Sequence, residues 1–431
     1  MTLKGKLAAC VLCALVCMPM GAEARHHRAE KDNTTVVHTE RAAAAKDWRQ
    51  EVIRKKMRET TPAVTEESPR VKRVESPVVK VTKKSNTMHK WEVTSKDTGG
   101  TLLFSDSPEY VDRPGILYQD TVKGEVRVLY YHLNNTKVPQ KVAVVLENAN
   151  PKEKSTVVQV TRGGTAWPSE DYLWVGKTTQ NQYFGEKKND LVLVMKDKKR
   201  LLQPSMDEII LQPGQLVYGV YDFKTDHPVK TSVIMYPANV NPLEFIKRAK
   251  VLPRDSVALR GTYQGMNREI TAQSEYDPER DGLVYIMLAD GKMDKYKVGV
   301  DATDGHRTVN FGNYGVLYKI AIPVKEGAPK VQYYLSPLGG TYAGAVSVRR
   351  DHSPYTKRIE TPAGRVYFGD QTAPEPESVS KARENGIALF GSHMELADLG
   401  SYDNSVPTYF EFSPPGASNL PAYMILMPAE E

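Results

Sequence analysis

The residues of this chain best suited to chemistry are its nine histidines, three cysteines and a few acidic or glycine-rich turns. His26 and His27 are adjacent and follow Arg25. If the chain is cut after Ala24, the new terminus reads Arg25-His26-His27. A free amine, two backbone amides and the third-position imidazole of His27 can then wrap Cu(II) or Ni(II) in the square plane those ions prefer. Arg25, His26 and His27 are therefore the candidate metal ligands. His38, His89, His132, His227, His306, His352 and His393 show no HExxH and no paired-His spacing, and read as surface or strand residues.

Cys10, Cys13 and Cys17 all lie near the start of the chain, within a leader. A mature chain without them has no disulfide, no thiolate metal site and no cysteine nucleophile. Leu7-Ala8-Ala9-Cys10 matches a bacterial lipoprotein box, but a genuine box closes the apolar run and this one opens it. No GxSxG nucleophile elbow, no GxxxxGK[ST] phosphate loop and no helix-opening GxGxxG is present. Spacing alone does not exclude a serine, a histidine and an acid brought together by the fold. No motif calls for a cofactor.

The acidic turns Asp277-Pro278-Glu279-Arg280-Asp281-Gly282 and Asp301-Ala302-Thr303-Asp304-Gly305 gather oxygens, yet neither supplies the twelve-residue calcium pattern ending in Glu. Both read as β-turns. Arg162-Gly163-Gly164-Thr165-Ala166-Trp167 and Leu338-Gly339-Gly340-Thr341-Tyr342 place an aromatic just after a flexible loop. Trp167, Tyr172, Trp174 and Tyr342 are the candidate surface or glycan contacts. The alternative, which the general behaviour of such hairpin ends favours, is that these rings cover the protein's own core.

Three elements must carry these residues. Residues 1–24 read as a cleavable signal peptide: Lys4 and Lys6, an apolar run from Leu7 to Met18, then Pro19 and the small-residue site Ala22-Glu23-Ala24. The run falls short of the roughly 20 residues a bilayer crossing needs. No later segment approaches that length, so no transmembrane segment is expected after cleavage. Residues 25–98 read as a basic linker. From 25 to 90 it holds 17 Lys+Arg against 9 Asp+Glu, while the rest of the mature chain is net negative. A helix is expected near 41–59, on the spacing of Trp48, Val52 and Met57. Pro62, Pro69 and Pro77 then break the pattern. Such a segment either attracts a cell-wall polymer or another anionic envelope surface, or simply spaces the folded part from the membrane. Charge runs are usually solvated, which favours the spacer. Nucleic acid is not an expected partner, because export separates the two.

Beyond residue 100 short apolar runs alternate with polar residues between Gly, Pro, Asn and Asp. Strands are expected at Glu125–Leu133, Lys141–Glu147, around Val158, at Leu191–Met195, Leu216–Asp222 and Thr231–Tyr236. A short helix is expected from Asn241 to Lys250, capped by Asn241 and ended by Pro253. Further strands are expected at Ser256–Thr262, Gly282–Leu288, Gly315–Ile322, Lys330–Leu335 and Gly344–Val348. The fold class is mainly β: two tandem β-sandwich-like domains, 99–250 and 251–431, after the signal peptide and the partly helical linker. The 23 tyrosines against nine phenylalanines suit strands whose rings pack while their hydroxyls meet water. Gly115-Ile116-Leu117-Tyr118 is echoed by Gly315-Val316-Leu317-Tyr318, as a duplicated sandwich would show and as chance would also give.

Several motifs together resemble one family. They are Leu103-Phe104-Ser105-Asp106-Ser107-Pro108-Glu109, Gly115 to Val122, Arg162-Gly163-Gly164 with Ser169 to Lys177, Gly312 to Tyr318 and Ser336 to Ala345. The resemblance is to the C-terminal body of uncharacterised secreted proteins of Firmicutes-type bacteria. Those often carry a non-catalytic, copper-amine-oxidase-like N-terminal module, which is absent before residue 100 here. The resemblance implies an exported envelope protein and no particular activity. The expected function is thus a secreted, non-enzymatic, bacterial cell-envelope protein with a structural or surface-binding role. A glycan-binding or wall-polysaccharide-hydrolysing protein is the alternative.

Overall fold

Strands dominate because β-branched and aromatic residues recur between turn formers. A computed structural model describes residues 71–75, 78–80, 86–185, 187–338, 342–353, 355–361, 387–390 and 395–429. They form a mainly β structure with three sheets among the described residues. The signal peptide, the helix near 41–59 and Arg25, His26 and His27 lie outside the described residues.

Two strands organise the 11-stranded sheet: Gly115–Asn134 and Leu216–Pro237, paired antiparallel along most of their length. Leu216–Asp222 and Thr231–Tyr236, expected as separate strands, are the two halves of the second. Its register shifts between Thr225 and Val229, opposite Gly124, whose φ is 81°. Its first half pairs with Ser155–Thr165 and its second with Gln140–Asn148. Asp190–Met195 lies beyond Ser155–Thr165.

The boundary expected near residue 250 falls inside this sheet. Thr101–Ser105 pairs parallel with Gly115–Asn134 on one side and antiparallel with Arg260–Gln264 on the other. Lys297–Val300 and Arg307–Asn310 extend the same sheet. The reason is burial on both faces. Leu102, Phe104 and Leu129 face one core while Leu103, Val128 and Tyr130 face another. Residues 126–130 are accordingly buried without a break, where a half-exposed strand would alternate.

All three sheets contribute to the first of those cores, and the two seven-stranded sheets meet across part of it in a sandwich-like arrangement. One sheet contributes Tyr318, Val346, Phe410 and Phe412, the other Val284, Tyr333, Leu335 and Leu426. Rings meet across the gap: Tyr333 and Phe410 have centroids 4.7 Å apart. Burial of this many aromatic and aliphatic side chains, at roughly 2 kcal/mol each, is the main stabilising term.

The end of the expected linker is strand. Val71–Glu75 pairs parallel with Thr356–Thr361, and Val78–Lys80 pairs antiparallel with Glu395–Tyr402. Asn86–Lys90 joins Val284–Leu288, and Thr94–Thr98 joins Asn267–Thr271. These residues are poor in apolar side chains, which is why composition reads them as linker. Adding a strand to an existing sheet requires only backbone donors and acceptors.

Candidate functional site

The turn after Thr101–Ser105 brings together a serine, a histidine and three carboxyls. Ser105 and His132 sit on neighbouring strands, and Ser105 Oγ lies 2.9 Å from His132 Nε2. His132 Nδ1 lies 2.9 Å from the Pro108 carbonyl, so it is the donor, and Nε2 accepts from the serine hydroxyl. Burial pushes the imidazole down to about 4, which keeps it neutral near pH 7. A neutral imidazole accepting from a serine is the pairing of a nucleophile and its base. Both side chains are fully buried, however, at 0% exposure, so no substrate reaches them in this conformation. The pair ties the turn to the long strand.

Three carboxyls follow. Asp255 accepts from Ser107 Oγ and from the backbone N–H of Glu109, Val257 and Ala258. Its oxygens are thus committed to shaping two turns. Burial first, and then the Asp255 charge, pushes Glu109 up to about 7. Burial, then Glu109 and Asp255, holds Asp106 well above the carboxylate range. Asp106 Oδ1 is buried without a hydrogen-bond partner among the described residues. A glycosidase needs a protonated acid beside a second carboxylate with room between them for substrate. Here the second carboxylate is fully occupied as a turn former.

Arg260 connects this turn to an open cleft. Its guanidinium is 3% exposed, binds Asp301 at 2.7 Å and donates to the carbonyls of Ser107, Leu117 and Leu252. Asp301 also accepts from Thr303 Oγ1, and Asp304 pairs with Arg254. The oxygens of the 301–305 turn are thus taken up within the protein, and Gly305 adopts φ 79° to close it. The other acidic segment is a helical turn, Pro278–Asp281, capped by Asp277.

The cleft has a volume of about 540 Å³. Its wall is the segment 250–252, zipped to Ile116 by two backbone hydrogen bonds of 2.9 and 2.8 Å. Its floor and rim come from Pro114, Val240, Phe245 and Leu252, with Arg113, Arg248, Lys250 and Glu244 supplying charge. The helix that positions Phe245 runs Pro242–Phe245 and is capped by Asn241 Oδ1, which accepts from the N–H of Leu243 and Glu244. It is shorter than the expected span, because turns rather than α-helix continue it before Pro253. Glu244 is engaged by Lys247 at 2.7 Å and Asp112 lies 3.9 Å from Arg113, so the net charge over the apolar floor comes from Arg248 and Lys250, with Arg113 beside them. That arrangement can hold an anionic group next to an apolar one.

The aromatic candidates do not form a row. Tyr342 is fully buried in the core, as a hairpin end covering its own core requires. Tyr172 packs against the same core and Trp167 is half-buried. Trp174 is 40% exposed. Tyr172 and Trp174 open the helix Tyr172–Tyr183, which sequence reasoning missed. Its signal was Asp171, the N-cap that accepts from Trp174 N–H at 3.0 Å. Its buried face hides because two of its members are polar. Thr179 Oγ1 donates to Tyr218 O, and Gln180 Nε2 donates to Tyr218 OH. The basic cleft was also missed, since Arg113 and Lys250 are far apart in sequence.

No family model and no curated protein matches the chain. Among solved structures, the crystal structure of vicilin from Solanum lycopersicum (tomato) is similar at 10% identity, over 76% of this chain and 85% of that chain, with a TM-score of 0.10. A likeness that faint carries no argument about fold or function.

Proposed function

We propose that this is a secreted, non-enzymatic cell-envelope protein whose β-structured body binds an anionic surface polymer. The observation that supports this reading is the cleft where Arg113, Arg248 and Lys250 stand around Phe245, Pro114 and Leu252. Wall polymers with phosphodiester or carboxylate groups on a carbon skeleton offer both features that such a cleft accepts. Export rests on the leader at residues 1–24, and the basic stretch 25–70 adds a second region of attraction to the same kind of surface.

The test is binding of the chain from Arg25 onward to purified wall material, with and without its anionic polymer. Binding is expected to weaken as salt rises. Arg113→Ala/Arg248→Ala/Lys250→Ala should weaken it about tenfold or more, at roughly 0.5–1 kcal/mol per exposed charge. Unchanged binding in that variant, with loss on deletion of residues 25–70, would assign attachment to the tether and leave the body without this role.

A further inference from the structure

Asp190–Met195 is an outer strand of the 11-stranded sheet, hydrogen-bonded to Ser155–Thr165. Its alternation is the reverse of what solvent demands. Val194 points inward and is fully buried, while Leu191, Leu193 and Met195 point outward at 69%, 51% and 41% exposure. Val157, directly opposite Leu193, adds a fourth apolar side chain to the same face at 38% exposure. An outward apolar row on an outer strand invites aggregation unless something covers it.

The charges around it point to the partner. The turn that follows carries Lys196 and Lys198 against Asp197, and Arg200 lies in the next strand, Lys199–Leu201, all of them exposed. Lys196 N–H donates to Lys154 O at 2.8 Å, which brings the neighbouring loop and its own exposed lysine alongside. At the strand's other end Lys187 is exposed beside Asp190. Asp226, which accepts from Val157 N–H at 3.0 Å, is a third acid beside the strip, so Lys154, Lys187, Lys196, Lys198 and Arg200 outnumber Asp190, Asp197 and Asp226 by five to three at its rim. Long lysine and arginine stems lie along apolar surface while their heads reach a polar layer. An apolar strip rimmed by cations matches one kind of surface in particular: acyl chains beneath anionic headgroups.

We infer that this outer strand docks on an anionic lipid bilayer, with Leu191, Leu193 and Met195 inserted at headgroup level and the lysines contacting phosphate. This attachment point lies in the folded body and uses neither the cleft nor residues 25–70. It stands or falls separately from polymer binding.

The experiment is co-sedimentation of the chain from Arg25 onward with phosphatidylglycerol-containing vesicles and with pure phosphatidylcholine vesicles. Binding to the anionic vesicles only, weakening with salt, is expected. Leu191→Glu/Leu193→Glu should reduce it about tenfold or more, and Lys196→Glu/Lys198→Glu should do the same by reversing the field. All four positions are exposed, so circular dichroism should be unchanged; Leu193→Ser provides a milder variant with an intermediate loss. Equal binding to both vesicles, or full binding by the Leu191→Glu/Leu193→Glu variant, would overturn the inference. So would a lipid-free dimer, seen by ultracentrifugation, that the same variant dissociates, because the occupant would then be a second copy.

Discussion

Arg127 and Asp222 stand directly opposite each other on the two longest strands and form a two-point ion pair, Nε to Oδ1 at 2.7 Å and Nη2 to Oδ2 at 2.8 Å. The guanidinium is 1% exposed, and its remaining N–H groups reach the carbonyls of Met266 and Gly315 and the side chain of Asn267. One arginine thereby links the 11-stranded sheet to the start of Asn267–Thr271 in a different sheet. Asp222 is also held by Tyr183 OH at 2.9 Å.

Removing one member of such a pair strands the other in a dry site. Arg127→Met should cost about 3–5 kcal/mol. Arg127→Met/Asp222→Leu should recover a substantial part of that loss. Urea denaturation midpoints of the two variants check this, and a double variant no more stable than the single one would show the pair's other partners to dominate.

Tyr183→Phe removes only the hydroxyl. Arg162 still lies over the ring at 4.7 Å, so the loss should be limited to one charge-assisted hydrogen bond, about 1.5–3 kcal/mol. Thermal unfolding of the variant measures it.

The turn at Ser105–Glu109 gives opposing pH dependences. His132 titrates lower in the folded protein, so its share of stability is complete above about 6.5 and is lost as pH falls toward about 4. Glu109 and Asp106 titrate higher when folded, so their share is complete at low pH; the Glu109 part is lost as pH rises through about 7. In His132→Gln stability should therefore fall more steeply with rising pH between 4.5 and 7 than in the parent. In Asp106→Asn/Glu109→Gln the slope should reverse sign over the same range. Urea midpoints at successive pH values decide.

Gly219 sits under the Tyr130 ring, where an added Cβ would lie 2.3 Å from Tyr130 Cζ and 2.6 Å from Thr165 Oγ1. Tyr130, Thr165 and Tyr221 also share a hydroxyl chain of 2.7 and 2.8 Å. Gly219→Ala should destabilise by about 1–3 kcal/mol through overpacking. A matched Gly282→Ala, at a left-handed turn with open space around it, should report backbone strain alone.

A synthetic peptide beginning Arg25-His26-His27 should bind Cu(II) in a square plane and show the visible band of that geometry. Blocking its amine by acetylation should abolish the band.

The chain's own order of residues determined the class of structure and the strands around the middle of the 11-stranded sheet, while those at 71–105, 267–271, 297–310, 356–361 and 387–428 were not expected. Val142, Val144 and Leu146, or Val158 and Val160, can only be strands, because turn formers bracket runs too short for helices. The cap at Asn241 was equally local and equally legible. Only the tertiary structure decided which strands share a sheet. Pairing of Thr101–Ser105 with Arg260–Gln264 depends on backbone groups that every residue carries, so no side-chain pattern announces it. The same holds for the strands from 71 to 98, whose backbone pairing is supplemented by contacts such as Asp97 with Arg268 and the burial of Met88 that depend on residues far along the chain. The cleft cations and the Ser105–His132 contact come from positions far apart in the chain, and three-dimensional closure brings each set together. Local periodicity reports which face of a strand is apolar; the neighbour that face meets is set by the packing of the whole.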